Sequence, residues 1–384
     1  MGPDATGANS ISPLRKVTSS VTWGWYAISL SWGGIAVLLH QTPHQFTGLK
    51  IIGTIIFIAN LLLYTTVTLC LLVEAVYPRK VSKPLEESPN FAARWLHIKK
   101  PQDLFFVPVS LLAFATIIFC TSYYGTPHCG RWLILTLNVF FWVYTGVSLL
   151  LAIALGWWIP YTGTTHGDHY AIVQILPYFP PMLSGTMAGL LAPNQDPAQA
   201  MPMLVGGTTM QGLGFLLFLV ILVQSMTELS TEGLPNPDVR PEMFIAVGPP
   251  SFTIIAMISM ADAAVQKLPD HYITAATSVR PADVLLIITV AVSVFLWALA
   301  FFLFCMAGLS MLEALWHRTI RFETLWWCMV FPITGFVLAT IDLAEYLCSA
   351  PISWVSTGMT IFQVALWLSI TMCQLFVWVC KQEF

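Results

Sequence analysis

The chain has 384 residues, a formal net charge of −3 and 9% charged residues, whereas 57% are hydrophobic and 13% aromatic; its mean hydropathy is +0.76. A soluble domain carries roughly 25% charged residues, so this composition excludes the water-soluble classes and intrinsic disorder. No basic excess is present to neutralise phosphates, which excludes a nucleic-acid partner. The eight cysteines are scattered without a CxxC pair, and point neither to a zinc site nor to a disulfide framework.

What remains is an all-α integral membrane protein. Residues 1–21 are polar and hold Pro3, Pro13, Arg15 and Lys16, so they predict a flexible cytosolic arm rather than a signal peptide. A membrane-crossing helix needs about 20 apolar residues. Ten runs meet that length between residues 22 and 380: 22–40, 51–76, 105–124, 132–158, 171–192, 200–229, 243–264, 284–312, 324–346 and 353–380. None contains Lys or Arg, and Trp or Tyr gathers at many ends, as at Trp23, Trp132, Trp157 and Trp326. The runs are continuous rather than alternating, which excludes a β-barrel. Residues 381–384 form a short tail.

Twelve of the sixteen Lys and Arg residues lie in the N-terminal arm, the loops after even spans and the tail, with six of them in residues 77–104. The positive-inside rule therefore predicts a multi-pass protein with both termini cytosolic.

Odd and even spans differ. Odd spans carry breakers well inside the run: Gly33 and Gly34, then Pro108, Pro180, Pro249 with Pro250, and Pro332. Even spans carry no central proline. The markers Gly33, Pro108, Pro180, Pro249 and Pro332 are 75, 72, 69 and 83 residues apart, one helical hairpin per interval. The stretches FFVPVSLLAFA, YFPPMLSGTMA, AVGPPSFTIIA and MVFPITGFVLA also resemble one another. Five hairpins are thus expected around one axis along the membrane normal, with kinked odd helices inside around a central pore and even helices as a shell.

A proline frees a carbonyl four residues back, and the helix that resumes after it starts with unpaired N–H groups and a positive dipole end. Such ends hold a carboxylate without a basic side chain. The hydroxyls near the breaks are the candidate pore lining and substrate contacts: Ser31 (with Ser29 beside it), Ser110, Ser184, Thr186, Ser251, Thr253, Thr334 and Thr340. The competing reading is that each hydroxyl bonds its own helix backbone. Asp262 and Asp342 are candidate proton-coupling residues, with Glu345 near Asp342. His166, Asp168 and His169 have a metal-like spacing but no further ligand nearby, so no metal or cofactor is expected. The spans hold no nucleophile–base pair of the kind an intramembrane enzyme needs.

WGWYAISLSWGGIAVLL, HQFTGLKIIGTIIFIANLLLY, RPEMFIAVGPPSFT and WWCMVFPITGFVLATIDLAEY resemble the tellurite-resistance/dicarboxylate transporter family, which includes the plant slow anion channels. Within it the sequence is most similar to fungal malic-acid (C4-dicarboxylate) transport proteins, over essentially all of residues 22–380. The resemblance implies ten helices in five hairpins, a pore through each subunit, a homotrimer, and a phenylalanine gate on the ninth helix, which the VFPITG match places at Phe331. The chain departs from it at Trp32, where a small polar residue is expected and a bulky ring narrows the path. The expected function is transport of C4-dicarboxylates, malate first, across the plasma membrane, with an organic acid or other small anion as ligand and lipid as surroundings. Sulfite or small-anion export is the alternative within the family; an intramembrane enzyme or a scaffold is the rival outside it.

Overall fold

The computed structural model describes residues 21–76, 101–163, 167, 169–268 and 280–382. Residues 1–20 of the expected arm, residues 77–100 of the basic 77–104 run, His166 and Asp168 lie outside these residues, as do residues 383 and 384. Val21, placed at the end of the arm, is buried.

Among the described residues the chain is helical, without strands. Ten α-helices follow in order: α1 Tyr26–Gln41, α2 Leu49–Val76, α3 Val109–Cys120, α4 Arg131–Thr162, α5 Phe179–Leu191, α6 Pro197–Thr231, α7 Gly248–Lys267, α8 Pro281–Trp316, α9 Val330–Tyr346 and α10 Ala350–Gln382. Among the described residues, eight helical stretches are long and apolar enough to cross a membrane. The 16-residue α1 and the 13-residue α5 are shorter than that measure.

Burial separates two layers. The most apolar windows of Asp103–Gly125, Pro237–Lys267 and Thr324–Tyr346 are 78–89% buried, whereas those of α2, α4, α6, α8 and α10 are 22–33% buried. The even helices turn Ile55, Leu62, Val139, Leu150, Val220, Ile287, Phe295, Ile361 and Phe376 outward. So large an exposed apolar surface is stable only against lipid. This is a multi-pass membrane protein.

The odd helices form the inner layer. α1 packs on α3, α3 on α5, α5 on α7, α7 on α9, and α9 closes back on α1. Each even helix sits over two inner neighbours: α6 over α5 and α7, α8 over α7 and α9, α10 over α9 and α1. Small residues permit this closeness. A Cβ added at Gly189 would lie 2.0 Å from Ser259 Oγ, and one at Gly207 would lie 2.4 Å from Ala188 Cβ.

The prolines start α-helices rather than interrupt them. Each inner α-helix follows a 3₁₀ segment: Trp23–Trp25, Pro101–Phe106, Ala171–Ile175, Pro237–Val247 and Thr324–Met329. Pro108 caps α3, Pro180 and Pro181 lie in the first turn of α5, Pro249 and Pro250 in that of α7, and Pro332 is the third residue of α9. First-turn N–H groups have no intrahelical partner, so proline loses nothing there, and its ring stops the α-helix from extending backwards. The first repeat is different and corrects the sequence expectation. α1 runs unbroken through Gly33 and Gly34. These glycines are contact points: a Cβ on Gly33 would lie 2.0 Å from Thr116 Oγ1, and one on Gly34 would lie 3.1 Å from the Phe331 ring.

Candidate functional site

Three spaces follow one another inside the inner layer. The first, about 260 Å³, opens among the C-terminal halves of the odd helices. All five contribute to it, for example through Gln41, Tyr123, Thr186, Asp262 and Asp342. The second, about 30 Å³, lies at their N-terminal turns and is almost wholly apolar, with Leu30, Leu112, Phe179 and Phe331 among its walls. The third, about 340 Å³, lies among the 3₁₀ segments and is walled by Thr22, Asp103, Phe106, His169, Glu323 and Cys328. Two wetter chambers are thus separated by a waist with room for about one water molecule.

Three phenylalanines close the waist. Phe252 and Phe331 stack with centroids 4.6 Å apart at 16°, Phe179 stands edge-on to Phe252 at 5.8 Å, and Phe179 is 6.3 Å from Phe331. Each ring lies against a glycine. Phe331 meets Gly34, Phe252 meets Gly335 and Phe179 meets Gly248; an added Cβ would lie 3.1, 2.5 and 2.8 Å from the respective rings. A side chain at any of these glycines would occupy the space the ring now fills. Phe331 was marked from the family resemblance. Phe179 and Phe252 were not, because nothing in YFPP or PPSFT distinguishes a ring on the axis from a ring in the core.

The predicted hydroxyls are placed differently from one another. Thr186 lines the first chamber, and its hydroxyl lies 3.4 Å from the Phe252 carbonyl. The rest bond within the scaffold. Ser31 donates to Ala27 O at 2.7 Å and reaches Trp327 O at 3.3 Å. Ser110 donates to Val107 O, Ser251 to Val247 O and Thr253 to Pro249 O, each at 2.7 Å. Thr334 and Thr340 donate at 2.8 Å to Val330 O and Phe336 O. Several also accept from the outer layer: Ser184 from Thr145 at 3.2 Å, Thr253 from Gln211 at 2.8 Å, Thr334 from Gln363 at 2.9 Å and Thr340 from the Trp297 indole at 2.9 Å. Ser29 donates to Asn60 at 2.7 Å. These bonds fix the inner layer to the outer one. Where no water competes, a hydroxyl is satisfied by the nearest helix carbonyl.

Trp32 turns away from the axis and meets Trp367 on α10 edge to face, 5.0 Å between centroids. The expected narrowing at this position does not occur.

Asp262 and Asp342 come together, with Glu345 and Tyr346, in the wall of the first chamber. Lys267, at the end of α7, donates to Gln195 O at 2.9 Å. Opposite the acids, a single π-turn, Thr121–Gly125, ends α3 and presents consecutive tyrosines in two directions. Tyr123 lines the chamber and takes a bond from Gln41; the Tyr124 hydroxyl donates to Ala36 O at 2.7 Å. Gln41 and Tyr123 were missed in the sequence because TSYYG carries no signal for the extra residue in the turn. Cys129 and Cys348 are free thiols.

The sequence matches the family described as SLAC1, voltage-dependent anion channel, over residues 20–375. It is 29% identical to a malic acid transport protein of Schizosaccharomyces pombe over 340 residues, 87% of this chain and 73% of that protein. A second, putative malic acid transport protein of the same yeast is 29% identical over 84% of this chain and 72% of its own length. A sulfite efflux pump of Arthroderma benhamiae is 21% identical over 90% of this chain and 87% of the pump. With an apolar outer layer, an inner ring of helices and chambers along its axis, the chain belongs to the voltage-dependent anion channel family.

Proposed function

We propose that this protein carries C4-dicarboxylates, malate first, across the plasma membrane along the axis of the inner ring. One observation carries the reading: two chambers in line are separated by a small apolar waist, inside a chain of an anion-channel family. Malate is chosen over other anions because of the two malic acid transport relatives at 29% identity. In this reading ten helices cross the membrane as five hairpins, the 3₁₀ side and both termini face the cytosol, and three copies assemble.

Phe331 is the gate. Its ring stands in a waist too small and too apolar for a hydrated anion, and a dry constriction is itself a barrier to ions. Phe252 and Phe179 form the rest of the plug, and Phe331 clears the path by rotating off the Phe252 ring. Thr186 is the hydroxyl that meets the solute. Three carboxyls in one chamber repel a dianion, so malate enters with a proton held by itself or by Asp262 and Asp342, which couple proton and acid.

Uptake of radiolabelled malate into proteoliposomes tests the proposal. Saturable uptake, competed by unlabelled malate, is expected. Sulfite flux without malate flux turns the assignment to the second reading, which the relative at 21% identity supports. No flux of either contradicts a transport function.

A further inference from the structure

The walls of the three axial spaces are acidic at both ends. Among the described residues that line them, one side chain is able to carry positive charge: His169, in the chamber on the 3₁₀ side. Its ring lies 5.6 Å from that of Phe106, which walls both this chamber and the waist. The imidazole therefore stands at the threshold where a solute would leave water.

The imidazole is held in place. Its Nδ1 bonds to Glu242 Oε1, and Glu242 is wholly buried while the His169 side chain is 21% exposed. The second oxygen of Glu242 accepts the N–H of Tyr170 at 2.9 Å. On α6, Glu228 accepts the N–H of Ala171 at 3.0 Å. A carboxylate buried this completely is costly unless it is paired and hydrogen-bonded, and a carboxylate beside an imidazole favours the protonated ring. The other charges around the pair differ in direction. Asp103 and Glu323 line the same chamber and oppose an entering anion. Arg240, two residues before Glu242, turns to α8, where it donates to Ser310 O at 2.8 Å and bonds Glu313. Among the described neighbours, Tyr170, Thr22 and Cys328 carry no positive charge.

We propose that His169, positioned by Glu242, is the anion-contacting residue of the inner mouth, where its imidazolium meets the transported carboxylate at the edge of the waist and makes entry from this side depend on pH. The proposal rests on the anion-transport reading and deepens it by naming a recognition residue and a positioning residue, Glu242.

Malate transport measured in right-side-out and inside-out vesicles, with the pH of each face set separately, tests it. In the wild type, KM on the 3₁₀ side is expected to rise tenfold or more between pH 5.5 and 8. His169→Asn keeps an N–H donor for Glu242 but no ring; its KM on that side should stay high at every pH, with KM on the opposite side unchanged. Glu242→Gln removes the charge that favours the imidazolium and should move the profile to lower pH, and His169→Lys should keep KM low without pH dependence. Wild-type KM and pH profile in His169→Asn would overturn the proposal. Should that variant not fold, or should the wild type carry no malate, imidazole NMR of the wild-type protein decides instead. A His169 resonance that moves and saturates as malate is added supports the contact even if the transport reading has failed, and a stationary resonance overturns it.

Discussion

Phe331, Thr334 and Asp342 occupy three turns of α9 and do three different things. Phe331 closes the waist against Phe252, a stacked pair worth about 0.5–1.5 kcal/mol beyond its buried area. Gly335 is what leaves room for Phe252, so Gly335→Ala should overpack the plug. A loss of about 1–3 kcal/mol is expected, measured as a lower melting temperature in detergent. Thr334 faces α10 rather than the path, and Thr334→Val should cost about 1 kcal/mol of stability. Malate KM should stay unchanged in that variant and rise in Thr186→Val; the opposite pattern in transport assays would place the solute against Thr334. Asp342 shares a chamber with Asp262 and Glu345, and is one of the two acids to which the coupling is proposed to fall. Asp342→Asn should flatten the dependence of uptake on the pH of that chamber's side, read from initial rates at fixed malate.

The recurring element is a 3₁₀ segment followed by an α-helix, started by proline in the last four of the five inner helices. Its longest example, Pro237–Val247, has 11 residues. At about 2.0 Å rise per residue, against about 1.5 Å for an α-helix, its conversion to α-helix would shorten the wall by about 5 Å. Pro249 and Pro250 oppose that conversion at its C-terminal end, because neither can donate the N–H that would carry the α-helix backwards, and Pro241 opposes it from inside the segment. Replacing Pro249 and Pro250 with alanine should let α7 extend back toward Pro241, draw Ile245, which lines the waist, out of it and abolish malate flux while the protein still reaches the membrane; unchanged flux would make the junction a packing feature only. This element also marks the boundary of what the sequence reveals. The spacing of the last four repeats was legible because proline acts locally, on its own carbonyl and turn. Gly33 and Gly34 were misread as a break because glycine serves equally as a hinge or as a contact, and their contacts, Thr116, Asn60 and Phe331, are distant in the chain. The hydroxyls were read toward the axis for the same reason: their partners Gln211, Trp297 and Gln363 belong to outer helices, and one-dimensional spacing does not tell which face of a helix meets which neighbour.

At the scale of the molecule, the two layers have opposite surfaces for one cause. The outer helices turn large apolar side chains outward to lipid and keep their polar ones against the inner layer; the inner helices are rich in Gly, Ala, Ser and Pro, which pack closely and leave a small residual space on the axis. That space is continuous in direction but closed at Phe331. The proposed orientation is checked by a cysteine at position 45, between α1 and α2, which should react with an impermeant maleimide added outside intact cells, whereas one at position 323 should not. The central claim, that the axis of the inner ring is an anion path gated by Phe331, is tested most directly by anion current per folded molecule in planar bilayers under a malate gradient, wild type against Phe331→Ala. The account predicts a larger current in the variant, reversing toward the malate equilibrium potential and less selective against small anions, from protein whose size-exclusion profile is unchanged. An intact, folded Phe331→Ala protein with no increase in current would contradict it.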